Sequence, residues 1–139
     1  MTTKTEFPSQ HREGLDHIYK VLSQKPNKTR KIVDASQMPA GRVGDILALG
    51  ARAGVTAGDG NGHWTRADVK RTAFRDAIVR QWFLENTPFK ASAPGQFFKG
   101  FLSNSQLYYT TQRLRKDTSL VITIERDGTR TPVWAVVKS

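Results

Sequence analysis

Cysteine is absent from the 139 residues. That absence removes disulfides, thiolate metal sites and cysteine nucleophiles together. Long apolar runs are missing too, and no stretch reaches the roughly 18 residues that a membrane-spanning helix needs. The opening residues, MTTKTEFPSQHREG, hold no apolar segment of the kind a secretory signal carries. Residues 1–10 are expected to form a loose tail, and a cytoplasmic location is the simplest expectation. Carboxylates are scarce: 12 Asp and Glu stand against 22 Lys and Arg, a formal charge of +10. Such an excess of cations favours a polyanionic partner, because clustered cations gain by displacing counterions from phosphate.

Candidate chemistry is equally thin. His11, His17 and His63 have no metal-ligand spacing, and no Gly-Lys-Ser/Thr follows a glycine loop. The segment GDGNGHW invites a calcium reading. Counted from Asp59, however, the loop's sixth and twelfth positions are Trp64 and Lys70, where Gly and Glu are required. The segment GRVG at 41–44 matches the glycine loop of KH domains, but those need strands before it, and residues 15–38 read as helical. Adjacent charges such as Glu125–Arg126 and Arg75–Asp76 read as surface charge balance. Nothing assembles a nucleophile, a base and a positioned third group. The expectation is a chain that is not an enzyme and uses neither cofactor nor metal.

What is present is a repeated order of elements. Leu15, Ile18, Tyr19 and Leu22 predict a helix over 12–24, stopped before Pro26. Thr29 is the expected N-cap of a short helix carrying Ile32, Val33 and Met38. A third helix starts near Pro39 and is expected to bury Val43, Ile46, Leu47 and Ala51 before Gly54 ends it. A hairpin follows, its tip at 58–62. The second half opens with a helix over 68–85, whose wide stripe of Phe74, Ala77, Ile78, Trp82, Phe83 and Leu84 suits contact with both halves. A short helix over 96–102 comes next. A helix capped by Ser103 or Asn104 then runs to about 117 and is expected to bury Leu107, Thr111 and Leu114. The β-branched run SLVITIE and the return RTPVWAVVK make a second hairpin about Asp127–Gly128. Trp64, Trp82 and Trp134 read as core anchors, the first and last in comparable return strands.

Each half therefore reads helix, short helix, helix, hairpin, an α+β and mainly helical fold. The residues TRKIVDASQMPAGRVGDILALGARAGV resemble the winged helix-turn-helix superfamily. Thr29 stands at the cap, the turn lies near Pro39, and Ala53-Gly54-Val55 closes the third helix. The likeness covers residues 15–65 well and 72–138 less well. It implies two tandem units, at 11–66 and 67–139 after the 1–10 tail, each with three helices and a hairpin wing. It also implies that third helices enter the major groove of double-stranded DNA while wings touch the backbone.

By chemistry, the residues expected to meet DNA are Arg42 and Arg52 in the first unit and Ser105, Gln106, Tyr109, Gln112, Arg113 and Lys116 in the second. Arg126 and Arg130 are added at the second wing. At helical spacing 106, 109 and 113 share a face, with 112 at its border. The leading functional expectation is a small sequence-specific transcriptional regulator, of a size and charge that suit a phage or mobile element. The alternatives are a protein-docking winged helix and an origin-binding replication protein.

Overall fold

Leu15, Ile18 and Leu22 recur three and four residues apart and are fully buried, so α1 (Gly14–Val21) winds with that stripe inward. The computed structural model describes residues 13–23, 25–126 and 132–139. After Pro26 a two-residue strand, β1 (Asn27–Lys28), leads directly into α2 (Thr29–Ser36). Gln37, left-handed at φ 58°, ends α2, and Pro39 stands before α3 (Ala40–Arg52). A hairpin of β2 (Thr56–Gly58) and β3 (His63–Arg66) closes the first half. The second half repeats the order: α4 (Arg71–Asn86), β4 (Phe89–Lys90), α5 (Ala93–Phe97), α6 (Asn104–Arg115), β5 (Leu120–Glu125) and β6 (Val133–Lys138).

The fold is α+β. Among the described residues it has two antiparallel three-stranded sheets, ordered β1-β3-β2 and β4-β6-β5. In each, the last strand lies in the middle and the shortest strand takes its far edge. The registers correspond as well: Trp64 stands opposite Asn27, and Trp134 opposite Phe89. Both tryptophans are half-buried against a core that runs through both halves. Phe74, Ile78, Val79, Trp82 and Phe83 of α4 are buried, and α4 meets α1 and α3 on one side and α6 and β6 on the other.

The elements differ from the sequence reading at definite places. Thr29 does not cap α2; it is the first helical residue, and its backbone N–H and hydroxyl both donate to the carbonyl of Gly62 on the hairpin. Met38 lies beyond α2, though buried. Leu49 and Gly50, rather than Ala51, are buried in α3. The reason is β2: Thr56 folds back so that its hydroxyl reaches the Leu47 carbonyl at 2.7 Å, and a Cβ at position 50 would meet that Thr56 oxygen at 2.8 Å. The short helix of the second half starts at Ala93, earlier than expected, because Pro94 fits a first turn where its missing N–H costs nothing. In α6, Thr110 is fully buried while Leu107 and Thr111 are half-buried. The GRVG segment lies within α3 and forms no loop. The 1–10 tail and the tip of the second hairpin, with Arg130, lie outside the described residues.

Candidate nucleic-acid interface

α6 begins with a reciprocal cap. Ser103 Oγ accepts from the Gln106 backbone N–H at 3.1 Å, and Gln106 Oε1 accepts from the Ser103 N–H at 3.0 Å. The other end of the Gln106 amide donates to Asp16 Oδ2 at 2.9 Å and to Glu13 Oε1 at 3.3 Å, both at the start of the first half. Further along, Arg113 grips Asp76 of α4 through two bonds of 2.8 Å and donates to Thr110 Oγ1 at 3.2 Å. The Asp76 hydrogen bond raises the Arg113 guanidinium above its ordinary value. Gln106 is half-buried, and Arg113, though exposed, is held at Asp76, so both side chains are engaged within the protein.

Ser105, Tyr108, Tyr109 and Lys116 face water, and Gln112 borders them. Tyr108 and Tyr109 are 59% and 60% exposed, and their rings meet edge to face at 5.3 Å. Gln112 is half-buried and donates to the Tyr108 hydroxyl at 3.0 Å, which leaves its carbonyl oxygen available. Lys116 is exposed just past the helix end, Arg115 reaches over the Trp134 ring at 6.0 Å, and Arg126 is exposed after β5. The helix thus presents phenols, an amide and a hydroxyl, with cations at its end.

The equivalent helix of the first half, α3, is differently placed. Arg42 donates to the Phe97 carbonyl and lies 5.2 Å from the Phe101 ring, both in the second half. Arg52 makes a two-pronged bond to Glu85 of α4, at 2.6 and 3.0 Å. This hydrogen bond holds the Glu85 carboxyl below its ordinary value. Both arginines are engaged between the halves, and α3 packs on α4.

Other expected features resolve simply. The carboxylate of Asp59 accepts from the N–H groups of Asn61 at 2.7 Å and His63 at 3.1 Å, which lower its pKa and fold the tip. No group of acidic and histidine residues able to hold a metal occurs among the described residues. Arg75 and Asp76 do not pair with each other: neighbours on a helix point about 100° apart. Arg75 reaches Asp16, and Asp76 holds Arg113.

Sequence reasoning passed over the cations of KPNKTRK. Lys25, Lys28, Arg30 and Lys31 are exposed and make no ion pair among the described residues, although their run in the sequence was the available signal. The chain matches no family model, no curated protein and no solved structure. No described helix is long and apolar enough to cross a membrane.

Proposed function

We propose that the chain consists of two winged helices in tandem and binds duplex DNA, with α6 as the reading helix. The observation that carries this reading is the contrast between α3 and α6. In the two halves these helices occupy the same place in the order of elements, yet both arginines of α3 are engaged by the other half, whereas α6 leaves Tyr108 and Tyr109 exposed. The shared order of helix, strand, helix, helix, strand, strand, with the last strand central in each sheet, supports the tandem arrangement.

A major groove about 12 Å wide admits one helix. With α6 seated there, Gln112 is suited to an adenine edge and the Tyr109 ring to a thymine methyl. Lys116 and Arg126 are suited to the phosphates beside it. Because Arg113 is braced on Asp76, base contact falls to Tyr108, Tyr109, Gln112 and Ser105. On this reading, sequence-specific binding would serve a role in transcription.

Titration of duplexes at several salt concentrations tests the reading. Affinity should fall steeply with salt, by about 0.9 log units per phosphate contact per decade. Gln112→Ala should cost roughly 1–3 kcal/mol on a selected site and relax preference at one base pair. A folded protein that binds no duplex at low salt would leave the second reading, docking on another protein. That reading is favoured by the exposed Val121 and Val137, which stand opposite each other on β5 and β6.

A further inference from the structure

Most arginines near the join between the halves are committed. Arg52, Arg75, Arg80 and Arg113 face carboxylates, while Arg42 and Arg66 face backbone carbonyls. The cations of the β1–α2 junction are not. Lys28, Arg30 and Lys31 line one shallow depression of about 450 Å³, shared with Pro26, Asn27 and His63. Lys25, next to Pro26 in the chain, is exposed as well. One carboxylate, Asp34, lines it as well, against three cations, so positive charge prevails. The walls are fixed: β1 pairs with β3 through Lys28 opposite His63, and Thr29 is bonded twice to Gly62. The cluster lies on the first unit, on elements other than the α3 that the second unit occupies.

We infer that this depression holds phosphates of a DNA backbone, so that the first unit anchors the duplex without reading bases while α6 reads it. The inference rests on the duplex-binding reading above. Three exposed cations around a wall held by strand pairing suit the phosphodiester chain, whose charges repeat closely and carry no sequence information. A base-reading site would instead need amide or guanidinium forks held in fixed orientation; Lys28 and Lys31 offer only point charges, and no partner among the described residues fixes the Arg30 guanidinium.

The test compares the full chain with K28Q/R30Q/K31Q, whose side chains are exposed and whose folding is checked by circular dichroism and melting. Both are titrated with a selected duplex and a scrambled one across a salt series. The triple variant should bind both duplexes more weakly by the same factor. Its slope should be shallower by up to about 2.7 log units per decade, three contacts at about 0.9 each. The ratio of affinities for selected over scrambled duplex should stay as in the unsubstituted chain. Y109A/Q112A should do the opposite, losing the ratio and keeping the slope. Unchanged slope and affinity in the triple variant overturn the anchor and leave duplex binding standing. A triple variant that loses the ratio rather than the slope also overturns it. Failure of the unsubstituted chain to bind either duplex overturns the duplex-binding reading, and the anchor with it.

Discussion

Arg66 shows how much a single side chain can organise. From β3 its Nε donates to the carbonyls of Tyr19 (3.2 Å) and Leu22 (3.1 Å), which α1 leaves without helical partners. Its Nη1 donates to Ala67 and Val69, and the guanidinium lies 3.9 Å from the Tyr19 ring centroid. The Tyr19 hydroxyl completes the cluster by donating to the Val69 carbonyl at 2.6 Å. Arg66→Ala strands these carbonyls and should destabilise the chain by roughly 2–4 kcal/mol in urea unfolding. Arg66→Lys should recover only part of that, because one ammonium cannot reproduce the planar fork. Glu85 is a second case. Its folded pKa lies below the ordinary 4.5 because Arg52 bonds its carboxylate. Its contribution is therefore present above that value and fades as pH falls through the lower folded pKa. In Arg52→Ala the carboxyl should titrate closer to 4.5, visible in an NMR titration. An unmoved Glu85 would show that the pair is not formed in solution.

Among the elements, α6 depends most on its first turn. The Ser103 and Gln106 cap satisfies two donors that the helix cannot, and Gln106 then spends its remaining amide hydrogens on Asp16 and Glu13. Ser103→Ala should cost about 0.5–2 kcal/mol, read as a shift in the denaturation midpoint. Gln106→Ala should cost more, since it removes the cap's second arm and uncovers the Asp16 carboxylate. A double-mutant cycle with Asp16→Asn should give a clearly non-zero coupling energy. Additive effects would mean that Gln106 and Asp16 do not interact energetically. On the proposed reading this matters for binding too, because Tyr108, Tyr109 and Gln112 lie on the helix that this turn starts.

At the scale of the molecule, the two halves share hydrogen bonds that each lacks alone. The first two N–H groups of α1, from Gly14 and Leu15, donate to Gly100 and Phe101 at 2.8 and 2.9 Å. Asp16 is buried beside Arg75, whose Nε lies 3.2 Å from its Oδ1 without the alignment of a hydrogen bond. Gly14 permits this approach: a Cβ there would stand 2.8 Å from the Gly100 carbonyl oxygen. Gly14→Ala should therefore destabilise the chain by roughly 1–3 kcal/mol, as overpacking against backbone does. Because the core is continuous, unfolding should be one cooperative event. Trp64 in the first half and Trp82 and Trp134 in the second are the reporters. Fluorescence of single-tryptophan variants should give coincident denaturant transitions, and two separated midpoints would show independent halves.

The order of helices and the two hairpins were legible because their signals are local. Helical stripes in 14–21 and 71–86, the Ser103 cap and the alternating β5 residues each depend on neighbours in the chain. The cationic excess was legible too, as was the polar character of the segment that forms α6. The strands β1 and β4 were not: two residues show no alternation, and only pairing with β3 and β6 defines them. Nor could the sequence say which arginines are free. Arg42, Arg52 and Arg113 have the chemistry of DNA contacts, but their partners Phe97, Glu85 and Asp76 lie 55, 33 and 37 residues away. Local periodicity set which side chains could share a helix face. Only the packing decided that Gln106 and Arg113 are engaged by Asp16 and Asp76 while Tyr108 and Tyr109 remain open, because that choice depends on what burial leaves uncovered.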